Sequence, residues 1–233
     1  CLGDIQQLLN LSLGTPIKDL IMSNLIKVCL LTKCFRFGLG GIATVSTKCR
    51  NGEFYIKDED MDKDIVSYGE KKDYTYIKYN NTTEQILDVY ENLLKDKKCK
   101  PKDVWILSPF NVGSNGCLIL NNKIQAIVNP PKNGEKNMTI TRQGVDICFR
   151  QNDIVMNTVN NYNCISIDSY EELLKDKGLS REDLPKEECM NGMSGRIVEV
   201  GDNIVKILFD EKIIVFSKDE VKNLVLGYVL NHF

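Results

Sequence analysis

A polar, turn-prone junction separates a short apolar segment from an apolar helix in the stretch VWILSPFNVGSNGCLILNNKIQAIVNPP, which begins at residue 104. The spacing predicts a buried strand over residues 104–107 and a helix over residues 115–128. In layered α/β proteins, the loop after a strand exposes backbone amides and the N-terminus of the next helix, and these groups bind anionic ligands. Three polar residues of this junction are therefore predicted to reach a bound ligand, namely Ser108, Asn111 and Ser114.

Apolar periodicity predicts further elements on both sides of this junction. Helices are predicted from Pro16, over residues 40–50, from Thr83 and over residues 169–177. Residues 27–31 (KVCLL) predict a second buried strand. Short alternating segments after Pro131 predict a small barrel or sandwich, with strands at 145–149, 154–159, 196–200, 204–209 and 212–216.

Composition is typical of an ordinary globular protein of 233 residues, with 42% hydrophobic and 27% charged residues and a net charge of -2. This balance excludes a general basic field for nucleic acid, so any such binding must be local. Nine cysteines without a CxxC pair, together with the single histidine His232, do not predict a zinc site. With no signal peptide and no apolar membrane span, we expect a soluble, cytoplasmic protein that does not bind a membrane.

Several short motifs occur in the order typical of one helicase family, the RecD-like (exonuclease V alpha-subunit-like) superfamily 1 DNA helicases. The chain resembles this family over nearly its whole length. The matching stretches are Gly3-Asp4-Ile5-Gln6-Gln7-Leu8, Cys34-Phe35-Arg36, the LSPFNVGSNG…NPP segment, Asn152 to Met156 with Asn160-Asn161-Tyr162, Asn191 to Ile197, Val205 to Asp210 and Leu226 to Phe233.

The resemblance implies an α/β fold class, in which a RecA-like parallel-sheet motor domain carries a small all-β SH3-like barrel as an insertion. Residues 1–24 would be the trailing edge of the first motor domain, and residues 25–160 the second motor domain. The barrel would span residues 161–222, and residues 223–233 would return to the second motor domain as its last strand. A chain that starts at Cys1 is expected to be a fragment of such a helicase.

The resemblance also implies nucleotide contacts. Gly3, Asp4, Gln7 and Arg36 would bind nucleotide, with Gln7 coupling the γ-phosphate or attacking water to DNA contacts and Arg36 stabilising phosphoryl charge. ATP and Mg would be the cofactors of the full-length parent. Because the chain contains no P-loop, it alone is expected neither to hydrolyse ATP nor to bind these cofactors tightly.

The DNA contacts implied by the resemblance are amide, hydroxyl and ring side chains suited to phosphates and bases. They are Ser108, Asn111, Asn160, Asn161, Tyr162, Asn231 and His232. The expected partners are single-stranded DNA, the missing first motor domain of the same protein, and a nuclease or a replication or repair protein.

Purely structural roles stay open for these residues. Gln7 could be a solvated turn residue, Arg36 could pair with a surface acid, and Tyr162 could fill the core. Leu9, Phe37 and Phe233 also differ from the family pattern. Two alternatives to an ATP-dependent 5′-to-3′ helicase fragment therefore remain: a catalytically decayed nucleic-acid-binding module and a partner-docking domain.

Overall fold

The computed structural model describes residues 14–31, 40–78, 82–96, 99–176 and 178–231. The chain divides into two compact units, residues 1–80 and residues 81–233, and each has its own local architecture.

The described part of the first unit contains two helices and a β-hairpin, with a short 3-10 helix over Asp58–Asp60. The elements are α1 Pro16–Met22, α2 Gly41–Arg50, β1 Ile65–Tyr68 and β2 Tyr74–Ile77. The two strands pair antiparallel, with Tyr68 opposite Tyr74. Asp73 Oδ1 accepts a hydrogen bond of 2.6 Å from the Gly41 amide, which satisfies a donor at the start of α2. Val45 is the one buried hydrophobic side chain among the residues described in this unit.

The predicted strand over residues 27–31 is wrong. These residues belong to no strand, and the side chains of Leu30 and Leu31 are 72% and 87% exposed. A run of apolar residues becomes a buried strand only where a sheet pairs with it and covers its faces. No sheet in the described part of the chain includes this segment.

The second unit holds the remaining helices and strands. They are α3 Thr83–Asp96, β3 Ile106–Leu107, α4 Cys117–Val128, β4 Asn137–Arg142, β5 Val145–Arg150, β6 Ile154–Asn157, β7 Asn161–Ser166, α5 Ile167–Lys175, β8 Glu187–Cys189, β9 Ser194–Val200, β10 Ile204–Phe209, β11 Lys212–Ser217, β12 Leu224–Leu226 and β13 Val229–Leu230. Short 3-10 helices span Pro101–Asp103, Arg181–Asp183 and Val221–Asn223. The helices and strands predicted from Thr83 onward lie within a few residues of the observed ones. The expected burial of the strand over residues 104–107 is wrong, because β3 covers only Ile106–Leu107 and Leu107 is 75% exposed.

Seven strands form one antiparallel sheet in the order β12-β6-β9-β10-β11-β7-β8, curled into a half barrel. One face of the sheet is buried, as strand β10 illustrates. Its residues Val205, Ile207 and Phe209 alternate with outward-facing residues and are at most 2% exposed. The hairpin β4–β5 is a separate antiparallel pair. One hydrophobic cluster includes residues of α4, β5 and the sheet, so these elements share a core.

The predicted fold class is wrong. The only parallel pairing in the described part of the chain is between β3 and β13, two residues each, with Ile106 opposite Val229 and Leu107 opposite Leu230. A RecA-like core needs a parallel sheet buried on both faces, whereas Leu107 is 75% exposed. The main sheet also takes strands β6 and β12 from outside residues 161–222, so it is not a separate barrel inserted into a parallel domain.

Candidate functional site

The loop after β3 is organised by its own side chains. Ser108 Oγ donates a hydrogen bond of 2.7 Å to the carbonyl of Asn115 and accepts one of 3.3 Å from the Phe110 amide. Ser108 is also only 6% exposed. The side chain predicted to contact a ligand therefore holds the loop in shape instead.

The N-terminus of α4 is closed by the same loop. The amide of Cys117 donates to the carbonyl of Phe110 at 2.9 Å, and the amide of Leu118 donates to the carbonyl of Asn111 at 3.2 Å. At Gly116 the chain turns so tightly that a Cβ atom would lie 2.4 Å from the Val112 carbonyl oxygen, so only glycine fits. These two amides are occupied within the loop and do not serve a ligand.

Two of the predicted DNA residues meet where β3 and β13 end. Asn231 Nδ2 donates a hydrogen bond of 2.9 Å to Asn111 Oδ1. A cleft of about 270 Å³ opens beside this pair. Its lining is mixed, with apolar side chains and several amides, one hydroxyl and one guanidinium: Asn111, Cys117, Leu118, Asn121, Arg142, Gln143, Ile147, Thr158, Val225, Leu226, Val229, Leu230 and Asn231.

The charged group in this lining is Arg142, at the end of β4. Its Nη2 atom donates to the carbonyl of Lys222, and it lies 3.4 Å from the carbonyl of Leu224, which ties the hairpin to the start of β12. Burial lowers the pKa of Arg142 below its ordinary value. Gln143 follows at the hairpin turn, with a left-handed φ of 50°.

Two amide side chains of α4, together with that of its C-cap residue, form a buried polar stripe. Asn121, Gln125 and Asn129 follow each other at intervals of four residues and are at most 7% exposed. Asn121 Nδ2 donates 2.7 Å to the Val229 carbonyl, and Asn121 Oδ1 accepts from the amides of Tyr228 and Val229 at 3.1 and 3.0 Å. Asn121 thus fastens β13 to α4 at the cleft wall.

The other two amides converge on a fully buried carboxyl group, that of Asp153. Gln125 Nε2 donates to Asp153 Oδ2 at 2.5 Å, and Asn129 Nδ2 donates to Oδ1 at 2.8 Å. The Arg150 amide and the Tyr228 hydroxyl also donate, at 2.7 and 3.1 Å. Burial raises the pKa of Asp153, although these four hydrogen bonds act in the opposite direction.

The same burial, with the nearby Asp153 carboxyl, raises the pKa of Tyr228. The Asp153 network therefore joins α4, the β5–β6 turn and the segment before β13 through one acceptor. Its members are enclosed side chains of the core, at most 7% exposed, and do not form a surface for a ligand.

Asn160, Asn161 and Tyr162 lie at the start of β7, where local contacts hold two of them. Asn160 Oδ1 accepts 2.9 Å from the Asn191 amide, and Asn161 Oδ1 accepts 2.9 Å from the amide of Asn163. The two asparagines thus act as turn residues. Tyr162 is 53% exposed and does not fill the core.

Cations on the outer face of the sheet are paired with local acceptors. Lys206 Nζ lies 2.7 Å from Glu199 Oε2, and Lys212 Nζ lies 2.6 Å from Glu187 Oε2. Arg196 Nη1 donates 3.0 Å to the side-chain oxygen of Asn152. These pairs reduce the positive field that the face would offer to phosphates.

Five of the predicted site residues, Gly3, Asp4, Gln7, Arg36 and His232, lie outside the described residues. Within the described ranges, no group of three or more His, Cys, Asp or Glu side chains is placed to hold a metal ion. No helix in that part of the chain is long and apolar enough to cross a membrane.

A search of the chain against profiles of known protein families found no match. Sequence reasoning missed the cleft residues Arg142, Gln143 and Thr158, which carry no local signal. It also missed the polar stripe of α4, for which a signal did exist. Polar side chains at four-residue intervals in an otherwise apolar helix indicate one face that meets other polar groups in the core.

Proposed function

We propose that this chain binds single-stranded DNA at the cleft where β3 and β13 end, as part of an ATP-dependent DNA helicase of the RecD-like type that works in the cytoplasm. The observation that supports the proposal most directly is the Asn111–Asn231 pair. Two residues 120 positions apart, both expected to contact DNA, line one cleft and share a hydrogen bond.

The surface of the loop beside the cleft suits an unpaired strand. Phe110 and Val112 are 63% and 53% exposed, although both are apolar. Bases of a single strand stack on exposed aromatic rings, and such stacking tolerates any sequence. Phe110 would therefore offer a stacking face next to the amides that line the cleft.

The nucleotide chemistry of this proposal rests on the motif order of the sequence alone. Gln7 and Arg36 would act on ATP and Mg supplied by a first motor domain elsewhere in the parent protein. A nuclease or a replication or repair protein would be the further partner. Six cysteines of the described residues are free thiols, which suits a reducing compartment: Cys29, Cys49, Cys117, Cys148, Cys164 and Cys189.

A second candidate, a protein-docking domain, is favoured by another observation. Trp105 and Leu107 on and beside β3 are 55% and 75% exposed, and the cations of the sheet already have partners. Exposed apolar side chains without a cationic field are more typical of protein contacts than of DNA contacts.

Fluorescence anisotropy with a labelled oligothymidylate of about 15 nucleotides at about 50 mM salt separates the two candidates. We expect the chain to bind, and Phe110→Ala to weaken binding by about 1–3 kcal/mol through loss of stacking. Phe54→Ala is the matched control, because Phe54 is 66% exposed and lies in the first unit. Absence of binding by the wild type would favour the docking domain, whereas an equal loss in both variants would contradict the stacking role given to Phe110.

A further inference from the structure

The cleft contains one charged side chain and no acidic one among the residues that line it. Arg142 carries that charge and is half-buried, and within the described residues no carboxylate pairs with it. Its Nη2 atom is directed to backbone carbonyls, which fixes the position of the guanidinium. A fixed, partly desolvated cation without an anionic partner is suited to an anionic ligand.

The size and the walls of the cleft narrow the class of anion. Its volume of about 270 Å³ lies just below the usual range of small-molecule pockets, roughly 300–1,000 Å³. A bare inorganic anion would leave most of this space empty. The lining includes the apolar side chains of Leu118, Ile147 and Val225, which suit a flat ring. It also includes the amides of Asn111 and Asn231, which can make polar contacts.

We infer that the cleft takes one nucleotide of a single strand, with its phosphate on the Arg142 guanidinium and its base against the apolar wall. This assignment rests on the proposed function and makes it specific: it names the group that the cleft recognises and the residue that supplies the charge. Gln143 follows Arg142 in the lining of the cleft, at the turn of the β4–β5 hairpin.

The first test compares Arg142→Met with Arg196→Met, which removes the same charge from the outer face of the sheet. Binding of the labelled oligothymidylate is followed from about 50 to 200 mM salt. We expect Arg142→Met to weaken binding about tenfold at low salt and Arg196→Met to leave it unchanged. The slope of log K against log salt should become shallower by roughly 0.7 in Arg142→Met, the value for one phosphate on a single strand.

Arg142 also ties the β4–β5 hairpin to β12, so its replacement could weaken binding by disturbing the fold. A second variant therefore changes the charge of the cleft and leaves Arg142 in place. Gln143→Asp puts a negative charge at the cleft rim on an exposed turn whose left-handed backbone aspartate tolerates. We expect it to weaken binding and Gln143→Asn to bind like the wild type. Thermal unfolding of all four variants shows whether each is folded.

The outcomes separate this inference from the proposed function. If the wild type binds the oligonucleotide and neither Arg142→Met nor Gln143→Asp changes the affinity or the salt slope, the inference is overturned and the proposed function stands. If the wild type binds thymidine monophosphate through Arg142 but not the oligonucleotide, the cleft takes a free nucleotide, and both statements about a strand are wrong. If it binds neither, both are wrong.

Discussion

At the scale of single residues, the motif side chains of α4 and of the turn before β6 act as a buried scaffold. Asp153 accepts four hydrogen bonds, from Gln125, Asn129, Tyr228 and the Arg150 amide. A buried donor without an acceptor costs more than a hydrogen bond contributes when made, so this arrangement tolerates no loss of the acceptor. This network therefore holds α4, the β5–β6 turn and the segment before β13 together in the core.

Asp153→Ala should destabilise the fold by roughly 3 kcal/mol, because it leaves several buried donors without an acceptor. Chemical denaturation followed by circular dichroism measures the change. Asp146→Ala is a suitable control, since Asp146 is an exposed acid on β5. Its side chain accepts one hydrogen bond, from the Thr141 hydroxyl, within the described residues. Similar midpoints for the two variants would contradict the role given to the Asp153 network.

Asn121→Leu should lower the free energy of unfolding by about 2–4 kcal/mol. The backbone amides of Tyr228 and Val229 and the carbonyl of Val229 would each lose their hydrogen-bond partner. The neighbouring Asn122→Leu removes one hydrogen bond, to the Asp146 carbonyl, and should cost about 1 kcal/mol or less. Urea midpoints of both variants test the difference, and equal losses would show that Asn121 does not fasten β13.

At the scale of elements, the segment between α5 and β8 is held to the end of β11 by one carboxylate. Glu220 accepts from the amide and hydroxyl of Ser217 and from Arg181, each at 2.8 Å. Burial opposes ionisation of Glu220, but these contacts outweigh it, and the pKa of Glu220 lies below its ordinary value. The 3-10 helix over Arg181–Asp183 is thereby docked to the main sheet.

This lowered pKa sets the sign of a pH effect. A carboxyl group whose pKa is lower in the folded state stabilises the fold above its unfolded pKa and loses that contribution as pH falls through the folded pKa. Wild type should exceed Glu220→Gln in stability by about 1 kcal/mol near neutral pH, after screening of the half-exposed Arg181. The difference should shrink toward zero below pH 4.5, the ordinary value for this group. A difference that is constant with pH would contradict the assignment.

At the scale of the whole molecule, the two units differ in how much core they contain. Val45 is the buried hydrophobic side chain of the described first unit, whereas the second unit has a continuous cluster that includes Ile124, Phe149 and Ile207. Local stability follows the amount of buried apolar surface. The second unit should therefore carry most of the cooperative stability.

Native-state hydrogen exchange tests this difference directly. Amides of the hairpin β1–β2 should exchange at least about 100-fold faster than those of β9 and β10, although all four strands pair antiparallel. Equal protection of the two sets would mean that the first unit contains more stabilising contacts than the described residues show.

Local sequence determined most elements of this protein. Thr83–Asp96, Cys117–Val128 and Ile204–Phe209 lie where periodicity places them, because a helix or strand is selected by the side chains of its own segment. Only part of the cleft could be predicted from the sequence. Asn111 and Asn231 belong to recognisable motifs, whereas Arg142 and Thr158 lie in no local pattern. Residues 27–31 show the converse, since an apolar run alone does not make a strand.

Tertiary structure alone decided the sheet and the cleft. Whether strands run parallel or antiparallel depends on partners far apart in the chain, as when β12 pairs with β6 or β13 with β3. The same holds for the carbonyls of Lys222 and Leu224 that fix Arg142. Periodicity reports which side of a segment is buried and says nothing of what buries it, so these pairings are set by the packing of the whole unit.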